Sequence, residues 1–117
     1  MPTTKTKPIP RSMRRWREVR AIQSAVAAHW GLSVEELLAD GREEPRNTAR
    51  QIAMYFARKL TKCSSYEIAG FFGKKDHWTI IHGAKAIEAR ILTESKLAVL
   101  VAYLETKTSA ALNRPLP

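Results

Sequence analysis

Apolar residues recur at helical spacing along most of the chain. Steps of three and four residues separate them in several segments, and no alternating apolar and polar run is long enough to indicate a strand. The first segment covers about residues 12–29 and ends at Gly31. Its apolar positions are Trp16, Val19, Ile22, Val26 and Trp30. The pattern predicts an all-α fold in which Trp16 and Trp30 are packing residues of the core.

Two serines predict the starts of two short helices. Ser33 and Ser64 are each followed three residues later by a glutamate, Glu36 and Glu67, which is the spacing of a capping box. The residues at 40–45 include a glycine and a proline, and we expect a loop there.

A longer amphipathic helix is predicted from Arg46 or Asn47 to about Lys62. Its apolar face comprises Ala49, Ile52, Ala53, Phe56 and Leu60, and its opposite face comprises Arg50, Met54, Arg58 and Lys62. A last helix, about residues 93–107, directs Leu97, Leu100, Val101 and Leu104 inward. We expect residues 13–108 to form the domain, between a flexible basic arm at 1–12 and a flexible tail at 109–117.

The segment 64–91 has the spacing of a helix-turn-helix. A short capped helix is followed by a turn with Gly73, and Asp76 suits the N-cap of a second helix. The helical wheel places Ile80, Ala84, Ile87 and Ile91 inward, and Trp78, His82, Lys85 and Ala89 outward. On spacing alone, a DNA-reading motif and a fold with a solvated lysine-rich turn are equally supported.

The charge of the chain is strongly positive and unevenly placed. The formal net charge is +9, with +6 in residues 1–20, −4 in 21–45, +6 in 46–90 and +1 in 91–117. This distribution suggests a polyanionic partner without choosing among DNA, RNA and an acidic membrane. No apolar run suits a membrane span and the N-terminus lacks a signal-peptide pattern, so we expect a cytoplasmic protein.

The start of the second helix of the motif carries groups suited to base edges. An aspartate such as Asp76 can accept from cytosine N4, and His77 can donate to a base. Trp78 points outward beside charge and is expected to lie at an interface. Cations suited to phosphate are Lys74, Lys75, Arg50 and Arg58.

Metal binding and catalysis are not expected, and the sequence indicates no cofactor. His77 and His82 are five residues apart, and Cys63 has no cysteine partner. His82 is equally suited to a hydrogen bond within the domain and to a groove contact. No nucleophile and base pair is evident, so we predict that the protein is not an enzyme.

Three segments resemble one known family. They are Arg50-Gln-Ile-Ala-Met-Tyr-Phe-Ala-Arg-Lys-Leu-Thr61, Glu67-Ile-Ala-Gly-Phe-Phe-Gly73 and Lys75-Asp-His-Trp-Thr-Ile-Ile-His82. Together they resemble the C-terminal DNA-binding domain of the bacterial replication initiator DnaA, with matching order and intervals from about Ile22 to Ile91. The resemblance implies a Trp-repressor-like helical bundle whose helix-turn-helix binds box sequences at the replication origin.

The resemblance also implies roles by position. Arg42 matches an arginine that enters the minor groove, and Asp76 and His77 match base-reading residues. Backbone contacts are implied for Arg50, Gln51 and Arg58, a nearby contact for Thr79, and a basic neighbour for Lys75. The full set of candidate DNA-binding residues is Arg42, Arg50, Gln51, Arg58, Ser65, Tyr66, Lys74, Lys75, Asp76, His77, Trp78, Thr79, His82 and Lys85.

Three departures from the family pattern fall on this surface. Trp78 stands where the family usually has the first threonine of a Thr-Thr pair, and Ser65-Tyr66 stand where it often has Leu-Pro. The loop around Arg42 is also acidic, with Asp40, Glu43 and Glu44 as neighbours. No Gly-x-x-x-x-Gly-Lys-Ser/Thr motif occurs, so we do not expect this chain to act as an ATP-driven origin opener.

The leading hypothesis is sequence-specific binding of double-stranded DNA linked to replication initiation or its regulation, in the nucleoid. The alternative is a protein-interaction regulator that engages the replication initiator or its regulators and has lost box specificity. A third hypothesis places nucleic-acid binding mainly in the basic residues 1–20.

Overall fold

A computed structural model describes the backbone of residues 11–113 and the side chains of residues 13–113. This range contains six α-helices and no strand, which confirms the all-α prediction. The helices are α1 (Arg11–His29), α2 (Val34–Leu38), α3 (Arg46–Leu60), α4 (Ser65–Phe71), α5 (His77–Thr93) and α6 (Ser95–Leu112). The predicted basic arm lies outside the described residues, except for residues 11 and 12, which are helical.

Both predicted capping boxes are present. The Ser33 hydroxyl accepts from the backbone N–H of Glu36 at 3.0 Å, and the Glu36 carboxylate accepts from the backbone N–H of Ser33 at 2.9 Å. Ser64 and Glu67 repeat this exchange at 3.1 and 2.9 Å. These bonds satisfy donors that the first turn of a helix leaves unpaired, and they fix where α2 and α4 begin.

Two predicted helix ends are wrong. The third helix stops at Leu60 because Thr61 adopts an extended conformation and its hydroxyl donates back to the carbonyl of Ala57 at 2.6 Å. The sixth helix continues to Leu112, so residues 109–112 are helical, beyond the predicted end at about Lys107. Thr108 is fully buried and Leu112 packs against the core, which holds these last turns in place.

The core surrounds α3, which contacts every other helix. The inward faces predicted for α5 and α6 are confirmed, and Phe56 and Phe72 are the largest fully buried side chains. The predicted division of α3 into a buried and a solvent face is wrong for Arg50 and Met54, which are both buried. A central helix packed on several sides buries more than one face.

The core placement of Trp16 is also wrong, whereas Trp30 packs against the core as predicted. Trp16 is 46% exposed, and the guanidinium of Arg20 lies 5.7 Å from its ring centroid. At this turn of α1 it is Arg15 that faces the bundle, because Arg15 forms an ion pair with Glu67 of α4.

Two features position α4 and α5 against the rest of the bundle. Buried Gln23 of α1 donates to the carbonyl of Phe71, at the end of α4, at 3.2 Å. Gly83 of α5 packs so closely on α3 that a Cβ atom there would lie 2.7 Å from Sδ of Met54. The second helix of the motif therefore crosses α3 at a point where an added side chain would have to displace Met54 or separate the helices.

Candidate nucleic-acid interface

The turn between α4 and α5 has the geometry that the helix-turn-helix prediction requires. Gly73 takes a positive φ of 69°, a conformation that costs glycine little, and the backbone N–H of Lys74 donates to the carbonyl of Ala69 at 2.8 Å. Asp76 is the N-cap of α5, and its carboxylate accepts from the backbone N–H of Trp78 at 2.9 Å. Residues 76–79 therefore project from a fixed first turn.

Four aromatic side chains, Tyr66, His77, Trp78 and His82, form a continuous line on the surface, here called the aromatic row. The ring of Tyr66 stacks on that of His77 with centroids 4.0 Å apart and planes inclined by 24°. His77 lies 4.8 Å from Trp78, and Trp78 lies 6.0 Å from His82. Sequence reasoning selected all four residues but missed their contact, because the turn brings Tyr66 and His77 together from different helices.

The aromatic row differs in exposure along its length. Tyr66 is 70% exposed and Trp78 is 52% exposed, which confirms the outward placement of Trp78. The side chain of His77 is only 20% exposed, and its Nδ1 lies 3.6 Å from Oδ1 of Asp76. The row therefore offers mainly the rings of Tyr66 and Trp78 to a partner, with His77 between them.

The cations near the row are not equivalent. Lys75 and Lys85 are exposed. Lys74 is half-buried, and its Nζ lies 3.0 Å from Oδ1 of Asp40 in the loop after α2. Bonding to Lys74 lowers the pKa of the Asp40 carboxyl below its ordinary value. Part of the positive charge of Lys74 is thus already compensated within the protein.

Arg50 lies inside the protein and not on the exposed face where the sequence placed it. Only 6% of the residue is exposed. Its guanidinium donates to three backbone carbonyls, those of Leu37 at 3.2 Å, Ala39 at 2.6 Å and Gly41 at 2.5 Å. The carbonyls at the end of a short helix lack donors within the helix, and the guanidinium of Arg50 donates to them instead. Burial lowers the pKa of this guanidinium.

The segment that Arg50 binds is the Arg42 loop, defined here as residues 39–45. Arg46 donates to the carbonyl of Asp40 at 3.2 Å and lies 3.6 Å from the carboxylate of Glu43. Glu44 accepts from the backbone N–H of Thr48 at 2.9 Å, so it caps the first turn of α3. The loop holds Arg42 on the surface, where it is exposed.

The remaining candidate residues differ in exposure and in their distance from the aromatic row. Thr79 is exposed on the first turn of α5, and Ser65 is half-buried on the first turn of α4. Gln51 is half-buried beside Gly83. Arg58 is exposed but lines a shallow surface cavity with Glu88, which is about 16 Å along α5 from His77. The structure therefore does not bring Arg58 to the aromatic row.

Cys63 is a buried free thiol at the start of the α4 segment, and burial raises its pKa. Among the described residues, no group of three histidine, cysteine, aspartate or glutamate side chains is arranged to hold a metal ion. None of the six helices is long and apolar enough to cross a bilayer.

Comparison with known proteins places this geometry in a family. The family model for the bacterial DnaA protein helix-turn-helix matches residues 19–87, which is more than half of the chain. The chromosomal replication initiator protein DnaA of Citrifermentans bemidjiense is 43% identical over 89 residues, covering 76% of this chain and 19% of that protein. The DnaA of Aquifex aeolicus is 40% identical over 80 residues, covering 68% and 20%.

Solved structures give the same result. A DNA replication initiation factor superposes with a TM-score of 0.74 at 33% identity, covering 82% of this chain and 29% of that chain. The replication initiator DnaA bound to AMPPCP and single-stranded DNA superposes with a TM-score of 0.75 at 32% identity, covering 86% and 30%. The chain thus spans about a fifth of the length of its curated relatives. With its helix-turn-helix matched in both sequence and structure, this chain belongs to the bacterial DnaA helix-turn-helix family.

Proposed function

We propose that this chain binds double-stranded DNA sequence-specifically and without catalysis, in the nucleoid of the cytoplasm, as part of replication initiation or its regulation. The observation that carries the proposal is the open first turn of α5. Asp76, Trp78 and Thr79 are exposed there beside exposed Lys75. In a DNA-binding helix-turn-helix, this turn of the second helix faces base edges in the major groove.

The candidate residues take different parts in this proposal. Asp76 and His77 contact base edges, with Trp78 and Thr79 beside them, while Lys75 and Lys85 bind phosphates. The Arg42 loop reaches the minor groove next to the helix. Phosphate contacts orient the protein, and base contacts provide the sequence preference.

Arg50 acts indirectly, as a positioning residue. Its guanidinium is committed to three carbonyls of residues 37–41, so it holds the shape of the loop that presents Arg42. Lys74 links the same loop to the helix-turn-helix through Asp40. The two DNA-facing segments are therefore connected within the protein before DNA arrives.

Selection from random duplexes, followed by titration of the enriched sequence, tests the proposal. Lys75→Ala should weaken binding to all duplexes and lower the salt slope by about one unit, while His77→Ala should flatten the preference among sequences. Lys96→Ala, which removes an exposed lysine of α6, is the matched control. Failure to enrich any motif, or identical binding by all three variants, would exclude this surface as a sequence-specific DNA site.

A second candidate function is supported by the acidic Arg42 loop. Asp40 compensates Lys74, and Glu43 is exposed beside Arg42. Such a surface suits a protein partner better than phosphate, and we infer a regulator that engages the replication initiator or its regulators. Recovery of purified initiator by the immobilised chain, without a duplex mobility shift at moderate salt, would favour this function over the first.

A further inference from the structure

The aromatic row presents ring faces, and an intact duplex has few surfaces that match them. Base faces are covered by neighbouring bases in double-stranded DNA, and the grooves offer base edges. Unpaired bases expose their faces, and stacking of bases on aromatic side chains is the common basis of single-stranded DNA binding. The rings of Tyr66 and Trp78, which are the exposed members of the row, therefore fit unpaired bases best.

We propose that the aromatic row binds single-stranded DNA by stacking unpaired bases on Tyr66 and Trp78. The inference rests on the proposed function only in that the same surface meets DNA. It adds a second substrate to that surface, recognised through base faces in place of base edges.

The geometry of the row supports this assignment. His77 occupies one face of the Tyr66 ring at a centroid distance of 4.0 Å, which holds Tyr66 in place and leaves its other face outward. Trp78 is oriented by the first turn of α5, whose N-cap is formed by Asp76. The backbone that carries Trp78 is thus fixed before binding, and each of the two rings already rests against His77, which lowers the cost of ordering them on a base.

The charges around the row suit a single strand. Lys75 lies just before α5, next to Asp76, and Lys85 is on the exposed face of α5, one turn beyond His82. Asp76 is the acid closest to His77, and one of its oxygens is already bonded to the backbone N–H of Trp78. The nearby Lys74 is compensated by Asp40. Lys75 and Lys85 are therefore the cations that follow the phosphates of a bound strand.

Tyr66 and Trp78 are also the residues by which this surface departs from the family pattern. The resemblance implies proline at position 66 and threonine at position 78, neither of which offers an aromatic face. Both exchanges add exposed rings on the same side of the motif, next to the same histidine. Single-strand binding at this site is thus assigned to this chain's own residues.

The test compares three labelled probes with the full chain by fluorescence anisotropy: a short thymidine oligonucleotide, an abasic oligonucleotide of the same length, and a duplex. The abasic strand keeps the phosphates and loses the base faces. We expect the thymidine strand to bind about tenfold or more tightly than the abasic one. Binding of the thymidine strand should also quench the fluorescence of Trp78, and this quenching should be absent in Trp78→Phe.

The variants separate stacking from charge. Tyr66→Ala and Trp78→Ala should each lose about tenfold in affinity for the thymidine strand and nothing for the abasic strand, and Tyr66→Phe and Trp78→Phe should restore most of the loss. Tyr103→Ala removes an exposed tyrosine from α6 and should change nothing. Equal binding of thymidine and abasic strands, or wild-type binding by both alanine variants, would overturn the inference.

The duplex probe distinguishes failure of the single-strand inference from failure of the proposed duplex-binding function. A chain that binds its selected duplex but not the thymidine strand overturns the single-strand inference alone. A chain that binds the thymidine strand but enriches no duplex supports the inference and overturns sequence-specific duplex binding. A chain that binds neither probe overturns both.

Discussion

The Arg42 loop and the aromatic row form two halves of one surface and are stabilised in different ways. The row stands on the first turns of α4 and α5, which Ser64 and Asp76 cap from adjacent sequence. The loop has no regular structure, and its shape depends on Arg50, which reaches it from α3. Adjacent capping residues thus hold the row, whereas side chains from outside the loop hold the loop, so loss of Arg50 should disturb the loop more than the row.

The largest effect should come from Arg50. Arg50→Ala leaves three buried or half-buried carbonyls without their charged donor, and each hydrogen bond to a charged group contributes about 1.5–3 kcal/mol. Because water can replace part of this loss, we expect the free energy of unfolding to fall by about 3 kcal/mol in urea titration. Arg50→Lys should recover little, because an ammonium lacks the planar fork that spans the carbonyls.

Arg58→Ala is the matched control for this change. Arg58 lies on the same helix and is exposed, so its removal should change the free energy of unfolding by less than about 0.5 kcal/mol. Equal stability of the two variants would mean that the carbonyl contacts of Arg50 contribute nothing, and the contrast between loop and row would disappear.

Arg42→Ala should affect DNA binding without affecting stability. Its side chain is exposed, so the free energy of unfolding should change by less than about 0.5 kcal/mol. The free energy of binding to the selected duplex should weaken by about 1–3 kcal/mol, because a base contact is lost. Isothermal titration calorimetry measures the loss. An unchanged affinity in Arg42→Ala would limit the DNA contact to the helix-turn-helix.

The two capping boxes offer a paired test of the row. Ser64→Ala and Ser33→Ala remove the same contacts, and each should lower the free energy of unfolding by about 1 kcal/mol. Only Ser64→Ala loosens the first turn of α4 that carries Tyr66. We therefore expect the ring-current shift of the His77 protons in NMR spectra to shrink in Ser64→Ala and to stay unchanged in Ser33→Ala. An equal ring-current shift in the two variants would disprove that the Ser64 cap positions the row.

The smallest effect should come from Asp40→Asn. The change removes the carboxylate charge that compensates Lys74, so Lys74 can bind a phosphate. Duplex affinity should rise severalfold at low salt, and the salt slope should steepen by up to about one unit. Glu105→Gln removes the acid paired with Lys59 at 2.9 Å elsewhere on the surface and serves as the control. A decrease in affinity for Asp40→Asn would show that the ion pair positions the loop for DNA.

The fold was predictable from the sequence because its determinants are local. Helical spacing, two capping boxes, the N-cap at Asp76 and the glycine turn are each encoded within a few residues, and the structure confirms them. The predicted core placement of Trp16 is wrong because helical spacing identifies the face of α1 that packs inward, but not how far along α1 this packing extends.

The site was less predictable because its determinants are tertiary. Arg50 has the spacing of an exposed α3 residue, and its burial follows from where the carbonyls at the end of α2 lie. The stacking of Tyr66 on His77 likewise depends on the angle between two helices. Helical periodicity and the family motif identify these residues, but the inward orientation of Arg50 and the contact between the rings depend on how the helices pack.

The contact of Gly83 with Met54 has a consequence for any attempt to re-engineer this surface. A methyl group at position 83 would lie 2.7 Å from Sδ of Met54, so either Met54 or α5 would have to shift. Because His77 is about 9 Å along the axis from this crossing, a tilt of α5 would displace its first turn. A set of variants that changes residues 76–79 keeps this helix crossing intact only if Gly83 is retained. Selection for a new sequence preference should therefore vary residues 76–79 and keep Gly83 unchanged.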